Sequence, residues 1–436
     1  MQEKQNTTGL IWFRNNLRTT DNISLKKAID HHKKVIAVYF FDPKYFTVDE
    51  FGFQKTAKFR AQFLIDTISN LKENLAKLNI TLLTYFDAPE NKIYSLCDEF
   101  SVDTIYTQKE WTKEEVDTTT NIKNSLKSDV KFIEDFDQFL YHPDTVSNNF
   151  SNIPDVFTQF RKKLEKYVRI KEIATFPKLP ETNIFNNTTK IPTLKDLGFS
   201  DFEMHPKTAF PFLGGETAAL KRLNYYLFQS NKVSFYKKTR NGLVGTDYST
   251  KFSPWLANGS LSAKIIYHQV KNYEAEFGKN QSTYWVIFEL IWRDYFKFIS
   301  LKYNAKIFKI GGILNRNYHW NTDKNIIQNW INGETKDDFV NANMIELQQT
   351  GWMSNRGRQN VASYFAKELL QDWRIGAAYF ESMLLDYDVH SNYGNWMYVA
   401  GVGNDPRDRK FNTQLQAERY DTNYKFRNLW LEKTLF

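Results

Sequence analysis

The segment 246–262, TDYSTKFSPWLANGSLS, combines hydroxyl side chains, a lysine and the start of a helix. Ser253 followed by Pro254 is typical of an N-cap and a first helical residue. Ser249, Thr250 and Lys251 stand just ahead of that start. Hydroxyls, free backbone N–H groups and a lysine at the positive end of a helix can bind a diphosphate. An ordinary capped helix would have the same residues, so the segment alone leaves both interpretations open.

A second polar cluster lies in apolar, helix-patterned sequence, at 352–358 (WMSNRGR) and 386–398 (DYDVHSNYGNWMY). Charges packed in such surroundings must pair, which predicts an ion pair between Arg358 and Asp386. Asp388 and Asn392 are four residues apart, so a helix would place them on one face. An acid and an amide there could bind the N–H and C=O edge of a flavin or a base. A polar network that only fixes helix packing explains the spacing equally well.

Several kinds of site are excluded by what the sequence lacks. It has neither G-x-G-x-x-G nor the P-loop motif, so a nucleotide cofactor must be held in another way. One cysteine, Cys97, allows no internal disulfide, and with seven histidines it excludes Cys/His-rich zinc modules, so no metal site is expected. The spacing of the eleven tryptophans does not by itself distinguish a function from ordinary core packing.

The composition is basic and rich in aromatic residues: 58 Lys and Arg against 50 Asp and Glu give +8, and 16% of residues are aromatic. Such a surface suits nucleic acid, because cations bind phosphate and rings stack on bases. A large core under a lysine-rich surface would give the same numbers. The N-terminus lacks a signal-peptide pattern and no apolar run is long enough to span a bilayer. We therefore expect a soluble, cytoplasmic protein with no membrane contact.

Two different architectures must position these residues. The first part of the chain has five short apolar runs of strand length, separated by helical patterns such as that over 56–78. The runs are 9–13, 35–41, 80–86, 102–107 and 130–136. Alternating strands and helices predict an α/β domain over 1–136 with a five-stranded parallel, Rossmann-like sheet. Ligands of such sheets bind at the carboxyl ends of the strands.

After residue 136 the pattern changes. Residues 137–205 form a polar connector rich in Asn, Thr and Pro, with one helix near 156–167. From there to residue 436 the periodicity is helical almost throughout. The clearest predicted helices cover 216–229, 262–277, 284–302 and 361–371. An all-α domain over 206–436 follows.

Five segments, in order along the chain, resemble the photolyase/cryptochrome family. They are WFRNNLRTTDN (12–22), KFSPWLANGSLS (251–262), FELIWRDYF (288–296), TGWMSNRGRQN (350–360) and SNYGNWMYVAGVGNDPR (391–407). IPDVFTQFRK (153–162) and SNRGRQNVAS (354–363) are similar to the DASH branch in particular. The resemblance covers nearly the whole chain and implies an α/β antenna domain followed by an all-α, FAD-binding C-terminal domain.

The resemblance also implies which residues contact FAD. Those around the phosphates are Tyr236, Ser249, Thr250, Lys251, Phe252 and Ser253. Those over the flavin and around its rings are Glu289, Trp292, Arg293, Asn355, Arg358, Asp386, Asp388 and Asn392. Trp396, Trp373 and Trp320 match the family's electron-transfer triad, which runs from the flavin to the surface, and we expect them to carry electrons when light reduces FAD.

The activity implied is that of a deoxyribodipyrimidine photo-lyase, which repairs cyclobutane pyrimidine dimers with an electron from excited, reduced FAD. The damaged bases must leave the stack, which costs a few kcal/mol and least in a single strand. Glu289 and Asn355 would hydrogen-bond the flipped bases, with Trp292 beside them. DNA is therefore the expected partner, bound through a basic rim.

Two residues depart from the pattern of photolyases that repair duplex DNA. Tyr398 stands where those enzymes carry a Trp that stacks on the dimer, and Gln359 where they carry a Met. Both changes make the pocket more polar and remove stacking area, and base–aromatic stacking contributes ~1–3 kcal/mol. This loss is comparable to the cost of unstacking, so we expect repair in single-stranded or looped DNA in preference to intact duplex.

Glu110 follows the fourth predicted strand and matches a Glu that holds the pterin of methenyltetrahydrofolate in relatives. The resemblance thus implies an antenna folate, although a solvated Glu at a charged helix start is common.

Two other functions stay open. One is a blue-light signalling cryptochrome that binds DNA or a partner without repair, and the other is a flavin electron-transfer protein without a role for light. Signalling members often carry a long C-terminal extension, and the end of this chain at Phe436 favours repair. We expect a monomer.

Overall fold

The computed structural model describes residues 5–405 and 407–431. A single five-stranded sheet forms the centre of the first half, and all its strand pairs are parallel, as predicted. Its strands are β1 (Gln5–Phe13), β2 (His32–Phe40), β3 (Leu82–Tyr85), β4 (Val102–Gln108) and β5 (Lys131–Asp135). They lie in the order β3-β2-β1-β4-β5. Successive strands are added on one side of β1 up to β3 and on its other side from β4 onward, so the strand order reverses between β1 and β4. A crevice outside the carboxyl ends of β1 and β4 is the expected place for a ligand.

Helices cover both faces of the sheet: α1 (Ile23–His31), α2 (Lys58–Lys77), α3 (Pro89–Glu99) and α4 (Lys113–Ser125). Successive side chains of a strand point to opposite faces. Ile11 and Phe13 of β1 accordingly pack in one core with α1 and α2, whereas Leu10 and Trp12 pack in a second core with α3 and α4. This double burial explains why the strands are apolar throughout instead of alternating.

The connector is divided between the two halves: its first part, to Val168, is buried in the core of the helical half, and its later part packs against the sheet half. It contains α5 (Pro143–Ser147), α6 (Phe157–Tyr167) and the 3₁₀ turn Glu181–Asn183. Leu179 and Leu197 are buried in the core that α1 and α2 share with the sheet. The Asn183 amide bonds the backbone of Val35 and the carbonyl of Asn79. Its many polar residues thus include structural ones, and the division at 136 and 205 stays a prediction.

The second half is helical. Its helices are α7 (Glu216–Asn224), α8 (Tyr236–Thr239), α9 (Ser253–Ala257), α10 (Ala263–Phe277), α11 (Gln281–Tyr303), α12 (Lys324–Asn332), α13 (Asp338–Thr350), α14 (Asn355–Ser363), α15 (Trp373–Met383), α16 (Val389–Ala400), α17 (Thr413–Tyr420) and α18 (Lys425–Leu431). Two 3₁₀ turns of this half cover Lys232–Phe235 and Asn304–Phe308, and π-helical turns cover Tyr225–Gln229 and Tyr364–Glu368. A further 3₁₀ turn, Pro43–Phe46, lies in the first half.

The helix predicted over 361–371 has wrong bounds, whereas the one predicted over 216–229 has the predicted bounds but changes its geometry along its length. The helix predicted over 361–371 begins at Asn355, where the Ser354 side chain caps it, and its π-helical turn ends at Glu368. Its first residues are polar and line a cavity, so apolar periodicity could not reveal them. The helix predicted over 216–229 is α-helical only to Asn224 and then widens into a π-helical turn.

Buried charges join the two halves. Arg18, 1% exposed, pairs with Asp137 at 2.8 Å and also donates to the carbonyl oxygen of Gly259. Asp21 of the sheet half pairs with Lys264 of α10 at 2.7 Å. Burial raises the pKa of Asp137 to about 6, although Arg18 opposes that change. Because these charges lie on both sides of the boundary, they fix how the sheet's carboxyl edge faces the helices.

Candidate functional site

A small cavity lies where the beginnings of α14 and α16 meet. Seven of the residues predicted for FAD, dimer or electron transfer line it together: Asn355, Arg358, Gln359, Asp386, Asp388, Asn392 and Trp396. Phe380, Ala362 and Val399 supply apolar wall between these polar groups. The two helix starts are positioned by their caps, Ser354 for α14 and Asp388 for α16.

The predicted ion pair between Arg358 and Asp386 is present at 2.9 Å, with the carboxylate side chain only 3% exposed. The Arg358 guanidinium also donates to the carbonyl oxygen of Met353 at 2.9 Å, and it lies 5.7 Å from the ring of Trp352. An unpaired Asp386 at this depth would be costly, so Arg358 is fixed in the cavity wall.

Asp388 precedes α16 and caps it, accepting a hydrogen bond from the backbone N–H of Ser391 at 2.8 Å. It also pairs with Lys297 at 2.6 Å. Burial alone would raise the pKa of Asp388, but Lys297 and its other cationic neighbours hold it well below the usual range. Asn392 lies one turn further on, and its amide N–H donates to the carbonyl oxygen of Ala377 at 2.9 Å.

The residues of this cavity fit a flavin. Because Asn392 uses its amide nitrogen, its carbonyl oxygen is left as an acceptor, with no hydrogen-bond partner within the described part of the chain. The buried indole N–H of Trp396 likewise has no partner among the described residues. Donors and acceptors of this kind, set in an apolar wall with the Arg358 cation, match a flat ring that has N–H and C=O groups along one edge.

A loop ahead of α9 is held by Arg222, which the sequence analysis missed. Its guanidinium donates to the carbonyl oxygens of Thr246, Ser249 and Thr250, each at 3.1 Å. It also pairs with Asp247 at 2.8 Å. In the sequence Arg222 is one of many helical cations, and no local signal distinguishes it.

The predicted cap of this segment is wrong. The helix α9 begins at Ser253 itself, Phe252 occupies the cap position, and no side chain of the described residues caps the helix. Phe252 is buried and packs edge-on to Tyr226, with ring centroids 6.2 Å apart.

Lys251 is the most unusual residue of the loop. It is 2% exposed and has a φ of 63°, and its ammonium lies 3.4 Å from the ring centroid of Tyr248 and 4.5 Å from that of Trp352. The side-chain nitrogen of Lys251 has no hydrogen-bond partner among the described residues, and burial lowers the pKa of its ammonium group. A buried cation without a hydrogen-bonded anion is costly, so the site suits an anionic group such as a diphosphate.

The helix α11 carries Glu289, Trp292 and Arg293 within two turns, but their side chains contact different parts of the molecule. Trp292 stacks on Phe157 of α6, with ring centroids 3.5 Å apart and 10° between the planes. Its edge meets Tyr398 of α16 at 6.1 Å and 89°. Neither ring of this pair is among the described residues that line the small cavity; Tyr398 is the sequence neighbour of Val399, which does line it.

Glu289 pairs with Arg240 at 2.7 Å. Burial raises the pKa of Glu289, and Arg240 opposes that change. Tyr236 lies in the same group, because burial and then the Glu289 charge raise the pKa of its hydroxyl. Arg293 faces elsewhere: it donates to the carbonyl oxygens of Gln138 and Leu256 and lines a second, larger cavity.

This larger cavity, of about 700 Å³, lies between the sheet's carboxyl edge and the helical half. Glu110, two residues beyond β4, accepts hydrogen bonds from Gln108 at 2.7 Å and from Asn15, beyond β1, at 3.4 Å. Glu110 thus lies at the crevice between β1 and β4, and burial raises its pKa. Tyr387 and Asp388 border both cavities.

The three tryptophans predicted to carry electrons are brought together by backbone contacts. The Trp396 ring lies against Gly376, one turn along α15 from Trp373. The backbone of Asn321, next to Trp320, bonds Leu370 and Asp372, just before Trp373, at 2.8 and 2.9 Å. Trp396 and Trp373 are buried and Trp320 is half-buried, so the series runs from the cavity toward the surface.

Two family models match the chain. Residues 9–181 match the DNA photolyase model, and residues 285–434 match the FAD-binding domain of DNA photolyase. Curated relatives cover most of the chain: Cryptochrome DASH of Danio rerio is 43% identical over 97% of this chain and 83% of its own length. Cryptochrome DASH of Synechocystis sp. is also 43% identical, over 97% and 87%. The chain belongs to the DASH branch of the photolyase/cryptochrome family.

Solved structures agree with this assignment. A cryptochrome from Synechocystis sp. superposes with a TM-score of 0.93 at 43% identity, covering 99% of this DASH cryptochrome and 89% of that chain. A class III photolyase from Agrobacterium tumefaciens gives 0.82 at 25% identity, over 99% and 87%. The predicted fold and the FAD-binding domain are thereby confirmed. None of the helices within 5–405 and 407–431 has the length and apolar character to cross a bilayer.

Proposed function

We propose that this DASH cryptochrome repairs cyclobutane pyrimidine dimers with blue light, preferentially in single-stranded or looped DNA. One observation carries the preference. Each of the two residues that depart from the duplex-repairing pattern accepts a hydrogen bond from an arginine: Tyr398 from Arg409 and Gln359 from Arg356, both at 2.9 Å. The dimer pocket therefore has less stacking area than that of the duplex-repairing enzymes. In its place, two hydrogen bonds hold the cations Arg409 and Arg356 beside the pocket.

FAD, when bound, supplies light absorption and a reversible one-electron transfer to the dimer. The protein binds and orients it. Arg358, Asp386 and Asn392 hold the ring edge in the small cavity, and Lys251 with the loop fixed by Arg222 meets the diphosphate.

The dimer would rest on the aromatic pair. One face of Trp292 is covered by Phe157, so a flipped base can contact only the part of the indole that its aromatic neighbours leave uncovered. Tyr398 stands at 89° to that indole and limits the pocket on the other side. Glu289 and Asn355 supply hydrogen bonds to the base edges, and Arg240 holds the Glu289 carboxylate in place.

The energy balance favours DNA that is already unpaired. Unstacking a damaged base costs a few kcal/mol in a duplex and least in a single strand. Replacement of a stacking Trp by Tyr398 gives up part of the ~1–3 kcal/mol that base–aromatic stacking contributes. Arginines bind phosphates in both forms of DNA, so such contacts do not replace the stacking that the flipped base loses.

Two accessory roles belong to the same proposal. Trp396, Trp373 and Trp320 carry electrons inward from an external donor, which brings the flavin to its reduced state. The larger cavity would hold methenyltetrahydrofolate as an antenna, and Glu110, at the sheet crevice, would be the residue that binds its pterin.

The test is repair under illumination. Holoprotein with reduced FAD is exposed to blue light with a single-stranded oligonucleotide that contains one dimer, and a dark sample is the control. Loss of dimer in the light alone supports the proposal. An FAD-bound, photoreducible protein that leaves the dimer intact would contradict it and favour signalling.

A further inference from the structure

Arg356, next to Asn355 at the start of α14, is held by three neutral side-chain amides. Its Nη1 donates to Oε1 of Gln359 at 2.9 Å and to Oε1 of Gln416 at 3.3 Å, and its Nη2 donates to Oδ1 of Asn241 at 3.1 Å. The guanidinium carbon also lies 4.6 Å from the ring centroid of Tyr420. Contacts from three segments of the chain thus fix the guanidinium in one place.

This arrangement determines which way the Gln359 amide points. A guanidinium has five donors and no acceptor, so an amide beside it must present its oxygen. The Nε2 group of Gln359 is therefore turned away from Arg356. Gln359 lines the small cavity, and its Nε2 group donates to no residue in the described ranges 5–405 and 407–431. A side chain that borders the cavity is thus left with a donor that no described residue uses.

We propose that Arg356 is a positioning residue that fixes Gln359 as a hydrogen-bond donor to a carbonyl oxygen of the flipped pyrimidine dimer. This inference rests on the proposed function. Both rings of a thymine dimer keep their carbonyl groups, which are acceptors. A methionine at the same position has no donor, so Gln359 gives this pocket a polar contact to the lesion that a thioether cannot make.

A simpler role for Arg356 would be phosphate binding alone. A phosphate contact would strengthen the binding of damaged and undamaged strands alike. The positioning role acts on the damaged strand only, because undamaged DNA has no flipped dimer to accept the bond. The ratio of the two affinities therefore separates the two roles.

The experiment measures dark binding of FAD-loaded protein to a single strand that contains one thymine dimer and to the same strand undamaged. Gln359→Glu keeps an acceptor for Arg356 but removes the donor, so the affinity ratio should fall about threefold to tenfold, as for one lost hydrogen bond. Arg356→Gln should weaken both affinities and also lower the ratio. Retained flavin absorbance shows that each variant is folded.

A double-mutant cycle supplies the decisive comparison. In a Gln359→Leu background, Arg356→Gln should weaken both affinities without lowering the ratio further, because no amide is left to orient. Lys410→Gln removes a nearby exposed cation that pairs with Glu368 and should leave the ratio unchanged.

Two results would overturn the inference: an unchanged ratio in Gln359→Glu, or an equal drop caused by Arg356→Gln in both backgrounds. If the wild-type protein itself binds the two strands equally, dimer recognition as such fails, and the proposed function falls with the inference.

Discussion

The hydroxyl oxygen of Tyr398 accepts a hydrogen bond from Nη2 of Arg409 at 2.9 Å. Arg409 also contacts Asp405 at 3.2 Å, so the phenol ring is joined to a fixed cation at the mouth of the pocket. An indole has an N–H donor and no acceptor, so a tryptophan at this position could not make the bond. Tyr398, which takes the place of a stacking tryptophan, thus acts partly through its hydroxyl group.

The double variant Tyr398→Trp, Gln359→Met should gain activity on duplex DNA. The larger ring restores stacking area worth ~1–3 kcal/mol, which offsets the cost of unstacking the dimer. Repair of matched duplex and single-stranded oligonucleotides under blue light measures the change. An unchanged duplex rate, with FAD retained, would mean that these two residues do not set the preference.

Trp373→Phe should slow photoreduction of FAD by a thiol and leave flavin binding intact. The substitution removes an oxidisable indole between Trp396 and Trp320 but keeps a buried aromatic ring. Bleaching of the flavin absorbance during blue illumination gives the rate. Trp430→Phe is the matched control, since that buried ring packs on His205 in the C-terminal part and should not alter the rate. Equal rates in wild type and Trp373→Phe would exclude this route.

Glu110→Gln should reduce antenna folate while FAD stays bound. The variant keeps oxygen acceptors for Gln108 and Asn15 but loses the carboxylate that would pair with the pterin. A charge-assisted hydrogen bond contributes about 1.5–3 kcal/mol, so folate affinity should drop about tenfold to a hundredfold. Titration with methenyltetrahydrofolate, followed by near-ultraviolet absorbance, measures it. Unaltered affinity would show that Glu110 does not contact the pterin.

Glu346 predicts a pH effect on stability. Burial raises its pKa from the ordinary 4.5 to about 8, although Lys251 and Arg358 oppose the rise. The folded state therefore binds this proton more tightly than the unfolded state. Its contribution to stability is present below the ordinary pKa and is lost as the pH rises through about 8.

Glu346→Gln removes this contribution, so the melting temperature of the variant should rise relative to wild type between about pH 5 and about pH 8. Thermal denaturation at several pH values measures the difference. Glu418→Gln changes an exposed carboxyl on α17 and serves as the control. If the difference in melting temperature between Glu346→Gln and wild type does not vary with pH, the pKa of Glu346 is not raised in the folded protein.

The sheet could be predicted to within a few residues because its strands are buried on both faces and read as continuous apolar runs. The start of α14 could not, since Asn355, Arg358 and Gln359 face a cavity and interrupt the apolar pattern. Pro254 favours a cap at Ser253, but the chain already adopts helical φ and ψ at Phe252. Local residue types identify a helix start only to within one position.

The Arg358–Asp386 pair was predictable because both charges lie in apolar sequence, where only pairing makes burial tolerable. Arg222, Arg240 and Glu346 were missed, because their partners are brought to them by tertiary packing. The larger cavity also forms only through tertiary packing, because Glu110 and Arg293 line it from segments far apart in the sequence. Long-range placement of this kind leaves no spacing signal in the chain.

The preference for unpaired DNA is tested by the rate of dimer loss in matched single-stranded and duplex oligonucleotides under one blue-light exposure, with the FAD of the protein reduced beforehand. We expect rapid loss in the single strand and slow loss in the duplex, with none in the dark. Equal rates in both would keep the repair activity but contradict the roles given to Tyr398 and Gln359. No loss in either, with FAD bound and photoreducible, would contradict repair itself.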